Sequence, residues 1–263
     1  MSITFLFPEG RPKALTLSYD DGNEADRRLV DIFNRHHLKA TFHLNSALMG
    51  TPGRIPAADI RDLYQGHEIS CHAATHPFLE RLAPGEAMRE IWNDRLALED
   101  LAGYPVTGMS YPFGTYNAQV IDLARSAGLV YSRTTQATQR FALPDNYLAW
   151  HPSCHHRDML KLAPAFLDTK YAYSVLYVWG HSFEFDRNDN WQDMEQFAEL
   201  IADRPDIWYV TNIDLYRYDQ AVKAIAVSAN GRLLHNPSAL TVWFRERDTN
   251  QIRSIQPGQT LAL

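Results

Sequence analysis

The chain has 263 residues, 45% hydrophobic and 21% charged, with 13 Gly and 14 Pro; that globular composition excludes collagen-like repeats, coiled coil and extended disorder. Lys and Arg number 25 against 31 Asp and Glu, a net charge of −6 with no basic block, which argues against nucleic acid as a partner. The uncharged stretch Tyr171–Phe183 has thirteen residues, short of the ~18 that a membrane span needs, so no membrane partner is expected. Two cysteines, Cys71 and Cys154, cannot build a disulfide framework. The segment from Met1 to Pro8 shows neither a charged n-region nor a long apolar h-region, and the expected location is cytoplasmic.

Along the chain, short apolar runs alternate with amphipathic stretches, the pattern of βα units around a mostly parallel sheet. Predicted strands are Ala14–Tyr19, Ala40–Leu44, Glu68–His72, Thr107–Tyr111, Leu129–Arg133, Ser174–Trp179 and Ile207–Thr211. Predicted helices are Glu24–His37, with Leu29, Ile32, Phe33 and His36 on one face, then Gly85–Ala102, Asn117–Ala127 and Trp191–Ala202. Seven strands, each followed by a helix or long loop, suggest an α/β barrel over residues 1–218. After about Asp219 the rhythm changes to short strands at Ala224–Val227, Leu233–Leu234, Leu240–Arg245 and Ile252–Ile255, joined by turn sequences. Residues 219–263 are read as a small β appendage packed on the barrel.

In a parallel barrel, chemistry sits at the C-terminal strand ends, so polar residues there carry weight. The first predicted strand ends in Ser18-Tyr19-Asp20-Asp21-Gly22, and adjacent carboxylates repel unless a cation or proton is shared. The third runs into His72-Ala73-Ala74-Thr75-His76, an i, i+4 histidine pair suited to zinc, with cobalt or manganese as alternatives. Alone, each would be read as a turn or a pair of loop histidines. Together, Asp, His and His make a three-ligand set with an open position, the pattern of a catalytic site. Ser110-Tyr111-Pro112-Phe113-Gly114 forms a rigid turn able to aim the Phe113 N–H at an oxyanion, with Tyr111 and Pro112 on the substrate side. His181, in Trp179-Gly180-His181, is placed to exchange protons. In the histidine-rich stretch Tyr147–His156, His151, His155 and His156 could line a groove or add a ligand, and Trp150 could stack on a sugar ring. Cys71 reads as a buried thiol, while the roles of His43, Asn45 and Glu184 are open.

In this order the motifs resemble the polysaccharide deacetylases, the NodB-homology fold of carbohydrate esterase family 4, over roughly Ala14 to Tyr218. The family's Thr-Phe-Asp-Asp appears as Ser18-Tyr19-Asp20-Asp21, its His-(Ser/Thr)-x-x-His as His72–His76 and its Leu-x-His as Trp179-Gly180-His181. The resemblance implies a distorted (β/α)7 barrel, Asp20 as general base, Asp21, His72 and His76 as ligands of a divalent metal, and His181 as general acid. It implies removal of acetyl groups from an N-acetylated carbohydrate. The alternatives are O-acetyl ester or small-amide hydrolysis on the same site, or a catalytically silent carbohydrate-binding protein. Three departures stand out. Ala73 replaces the usual hydroxyl residue, the Asp-Trp motif has no clear counterpart, and Arg-x-Pro-Tyr-Gly reads Ser110-Tyr111-Pro112-Phe113-Gly114. The arginine that orients the catalytic aspartate is therefore absent, and serine supplies no guanidinium fork. Arg133, at the end of the fifth predicted strand, is one candidate replacement, with no motif behind it.

Overall fold

A computed structural model describes residues 3–263; Met1 and Ser2, the start of the N-terminal segment read above, lie outside the described residues. After β1 (Ile3–Leu6) comes β2 (Lys13–Asp20), all eight residues of which are buried, as a strand covered on both faces requires. There follow α1 (Asp26–Arg35), β3 (Ala40–Leu44), α2 (Ile60–Leu63), β4 (Glu68–Cys71), α3 (Pro84–Ala102), β5 (Gly108–Ser110), α4 (Ala118–Ser126) and β6 (Tyr131–Arg133). The second half holds β7 (Cys154–His155), α5 (Met159–Asp168), β8 (Ser174–Gly180), α6 (Phe183–Asn188), α7 (Trp191–Ile201), β9 (Ile207–Tyr209) and α8 (Asn212–Lys223). Five short strands close the chain: β10 (Ala226–Val227), β11 (Leu233–His235), β12 (Val242–Glu246), β13 (Ile252–Ile255) and β14 (Thr260–Ala262).

Local chemistry accounts for these limits. Helix α1 buries Leu29, Val30, Ile32 and Phe33 against the sheet. Asn117 caps α4 by accepting the Val120 N–H at 2.9 Å. Helix α3 stops at Gly103, whose φ of 78° is the left-handed conformation that ends many helices.

The main sheet is parallel and runs β6-β5-β4-β3-β2-β8-β7, with β9 against the first residues of β2. It curls into the expected distorted (β/α)7 barrel. Its two ends meet through one segment, since Trp150 bridges Arg133 in parallel and Cys154–His155 pairs with Val178–Trp179 of β8. The seven strands along the ring are not the seven expected. Ile207–Thr211 supplies only the side strand β9, whereas the histidine-rich loop contributes β7. Two residues after a proline carry no readable periodicity; pairing with β8 makes them a strand. Because every strand of the ring is parallel, the ends of β2, β4, β5, β6, β7 and β8 converge on one mouth.

The terminal strands are tied to the rest at both ends of the chain. β1 pairs antiparallel with β12, from Ile3 against Glu246 to Leu6 against Trp243. Helix α8 runs through residues 218 and 219, and one apolar cluster joins Phe7, Val175, Tyr177, Tyr218, Leu234 and Phe244. At the start of α8, the Asn212 and Ile213 N–H groups donate to Thr41 Oγ1 and Glu68 Oε2, both at 2.9 Å, plugging the far end of the barrel.

Candidate active site

Asp20 ends β2, and Arg133, fully buried at the end of β6, is paired directly with its Oδ2. The guanidinium also donates from Nε to Ser18 Oγ at 3.1 Å and from Nη1 to the Thr134 carbonyl at 3.0 Å, while its plane lies 4.4 Å from the Trp179 ring centre. A fork so tied can hold a carboxylate in one orientation. Arg133 thus gives Asp20, from a different strand, the guanidinium partner that Ser110 cannot supply. Burial pushes the Asp20 carboxyl up, but the Arg133 guanidinium, then the His72, His43 and His181 rings, outweigh it and hold the group well below the usual carboxylate range. Asp20 is therefore ionised, with Oδ1 accepting from Ser110 Oγ at 3.1 Å.

The serine in the motif's arginine position has its own task. His72 Nδ1 lies 2.8 Å from the Ser110 carbonyl oxygen and 2.7 Å from its Oγ, so the proton sits on Nδ1 and Nε2 is left with a lone pair. Nε2 faces Asp21 Oδ1 at 3.9 Å, and His76 Nε2 lies 3.8 Å from the same oxygen. The His72 main chain is braced by Asp94, which accepts its N–H at 2.9 Å, and by Asn45, which donates to its carbonyl at 2.7 Å. Asp21, Ala73, His76 and Phe113 all have left-handed φ values of 85°, 59°, 58° and 60°. Such backbone costs about 1–3 kcal/mol per residue and collects where a site demands it.

Asp21, His72 and His76 bring their ligand atoms within 4.8 Å of one another. Asp21 Oδ1 is buried without a hydrogen bond among the described residues, with the Arg54 guanidinium 3.5 Å away, and it faces two imidazole nitrogens. That donor set fits a borderline divalent cation of the zinc type. Burial and the neighbouring His72 push His76 down to about 4, so it is a neutral donor near pH 7.

Across the cavity stands His181, just past the end of β8, with Nδ1 3.7 Å from Glu184 Oε1. Glu184 is held by His155 and His156, each with Nε2 3.0 Å from Oε2, and by Arg187 at 3.1 Å from Oε1. Arg157 donates its N–H to His155 Nδ1 at 3.3 Å, which puts that ring's proton on Nε2, facing the carboxylate. The His–Glu–His group is therefore a hydrogen-bonded cradle rather than a second set of metal donors. Burial lowers His181, but the Glu184 carboxylate and then Asp20 and Asp21 outweigh it, so the group is raised. Gly180 is required here, because a Cβ would meet His156 Nδ1 at 2.1 Å.

A cavity of about 290 Å³ is lined by Asp20, Asp21, His72, His76, Tyr111, Phe113, Gly114, Thr135, Trp179 and His181. The expected catalytic and ligand residues are thus together. The Phe113 amide takes no part in its turn's bonds, which run from Gly114 N–H to the Tyr111 carbonyl and from Thr115 N–H to the Pro112 carbonyl. Its ring stacks on Phe78 at 3.8 Å and meets His76 edge-on.

The expected substrate contacts fare differently. Tyr111 lines the cavity but is buried, with its hydroxyl on the Leu148 carbonyl at 2.8 Å. Pro112 lies buried beneath the turn, off the cavity wall. His155 and His156 face Glu184 instead of a groove. Trp150 is a correction too. Only 1% exposed and walled in by Tyr131, Tyr147 and Tyr177, it offers no face to a sugar. Trp150→Ala is expected to cost about 3–5 kcal/mol of stability in denaturant titration; a loss below 1 kcal/mol would return the residue to the surface. Arg54, Asp94 and Ser110's bridging role carried no sequence signal, since each acts through contacts far away in the chain.

The sequence model of the family described as polysaccharide deacetylase matches residues 8–132. The matched stretch includes Asp20, Asp21, His72, His76 and the Phe113 turn. Over 113 residues the chain is 33% identical to the peptidoglycan-N-acetylglucosamine deacetylase PgdA of Listeria monocytogenes, covering 42% of this chain and 23% of that protein. The match thus spans about a quarter of that relative's length. Among solved structures, a Mycobacterium smegmatis protein assigned as a polysaccharide deacetylase superposes with a TM-score of 0.63 at 17% identity, covering 82% of this chain and 93% of its own. The peptidoglycan deacetylase PdaC of Bacillus subtilis gives 0.55 at 21% identity, covering 81% and 94%. These two share the fold. Among the described residues, no helix is long and apolar enough to cross a membrane.

Proposed function

We propose that the chain is a metal-dependent deacetylase that removes acetyl groups from an N-acetylated carbohydrate. One observation carries the reading: an ionised carboxylate, Asp20, gripped by Arg133, faces the Asp21–His72–His76 set, with a carboxylate-supported histidine in the same cavity. The silent-binding alternative drew its support from the missing arginine, and the Arg133 guanidinium on Asp20 weighs against it. A stacked-up acid and base would also be superfluous in a protein that only binds.

A divalent cation held by Asp21, His72 and His76 would polarise the acyl oxygen and make water acidic enough to attack near neutral pH. The chain's own residues supply the rest. Asp20 accepts the proton of the attacking water on a remaining lone pair, its orientation held by Arg133 on Oδ2 and Ser110 on Oδ1. The Phe113 N–H is available to the oxyanion, and loss of one such donor typically costs about 3 kcal/mol of barrier. His181, whose protonated form the Glu184 carboxylate favours, gives its proton to the departing nitrogen, without which an amine does not leave.

The test is acetate release from N-acetylglucosamine oligomers and from acetylated xylan by protein freed of metal with chelator, then supplied with zinc, cobalt or manganese. Metal-dependent release from the oligomers that disappears in Asp20→Asn is expected. In His181→Ala, amide hydrolysis should fall far more than hydrolysis of an activated acetate ester, whose leaving group needs no proton. Release from xylan alone would move the reading to ester hydrolysis, and silence on every acetylated sugar would defeat it.

A further inference from the structure

The loop between β3 and α2 carries Arg54, which belongs to none of the motifs above, against the turn that follows β2. Its main chain is fixed there. Asn23 and Arg54 form an antiparallel bridge, the Glu24 N–H donates to the Gly53 carbonyl at 3.0 Å, and the Ile55 N–H donates to the Gly22 carbonyl at 2.9 Å. The guanidinium reaches back over the turn, where Nη1 donates to the Asp21 carbonyl and lies 3.5 Å from Asp21 Oδ1. Asp21 has a left-handed φ of 85°, so a donor on its carbonyl helps to hold a backbone that a non-glycine residue disfavours.

The same Oδ1 faces His72 Nε2 and His76 Nε2, so one carboxylate oxygen serves both a guanidinium and the candidate metal position. Among the described residues, no other carboxylate lies within ion-pair distance of Arg54. The charge of Asp20 is taken up by Arg133. The two carboxylates that line the cavity are therefore each matched by a guanidinium. A divalent cation entering the donor set finds no net negative charge in these four side chains, and it is opposed by the guanidinium beside its one anionic ligand. With the Arg54 and Asp21 side chains only 23% and 11% exposed, solvent and salt screen that opposition weakly.

We infer that Arg54 is a positioning residue that sets the metal affinity of the site: by sharing Asp21 it keeps the divalent cation exchangeable, so that loading follows the free metal concentration. The inference rests on the reading of Asp21, His72 and His76 as metal donors.

The test is metal binding itself, measured on chelator-stripped protein by competition of zinc and cobalt with a chromophoric chelator. Arg54→Gln removes the charge and keeps a neutral N–H donor for the turn. It is expected to bind both ions at least about tenfold more tightly than the wild type and to release cobalt to excess chelator more slowly. Arg54→Lys keeps the charge and should bind as the wild type does. Arg54 is partly exposed, and the main-chain bonds that fix its loop do not use its side chain, so neither variant empties the core. Equal or weaker binding by the glutamine variant, or the same gain in the lysine variant, overturns the inference. Wild-type binding that is lost in Asp21→Asn upholds the donor set, so that such a failure falls on Arg54 alone. A wild type that binds neither ion defeats both readings.

Discussion

Arg133→Ala is expected to lower kcat/KM for acetate release by at least about 10²-fold, because a catalytic group displaced by an ångström already loses that much. The arginine is fully buried and faces an equally enclosed Asp20. Removing it leaves a carboxylate without a partner, and breaking a buried pair costs about 3–5 kcal/mol of stability. Arg133→Lys keeps the charge but replaces a rigid fork by a single ammonium, which cannot hold Ser18, the Thr134 carbonyl and Asp20 together. It should retain more stability than the alanine variant while recovering little activity. Steady-state kinetics and denaturant titration on both variants separate the two effects. Wild-type turnover in either would remove Arg133 from the site's machinery.

Glu184→Gln tests the other side of the cavity. General acid catalysis typically contributes about 10²–10⁴-fold, and a misdirected, less basic imidazole forfeits part of it. A fall in kcat on the amide substrate of about 10–100-fold is therefore expected, with much less effect on an activated ester. The pH profile carries the decisive sign. As a general acid His181 would have to be protonated, and the Glu184 carboxylate does most to raise it against burial, ahead of Asp20 and Asp21. Without that negative charge His181 loses its proton at lower pH, so the alkaline limb of the kcat profile moves down. His155, His156 and Arg187 also face position 184, so Glu184→Asp serves as the conservative control and should restore part of the limb. A limb that stays in place in the glutamine variant would reduce Glu184 to a packing residue.

The sequence by itself determined the barrel class and the contents of the cavity floor. Alternation of apolar runs with amphipathic stretches is local, and it located β3 at Ala40–Leu44 and β13 at Ile252–Ile255 to the residue. Asp20, Asp21, His72, His76 and His181 were legible because each lies in a short motif at a strand exit, where neighbours in sequence are neighbours in space. Tertiary structure alone decided what those residues lean on. Arg133 reaches Asp20 across 113 positions, and Ser110 reaches it across 90. Trp150 changed from a sugar platform to a core side chain, since burial depends on what the closing barrel places around it. His155 and His156 likewise became the support of Glu184 once β7 paired with β8. A motif records which groups do the chemistry; which partners orient them is set by the curvature of a parallel sheet, which brings distant strand ends to one mouth and which no local pattern encodes.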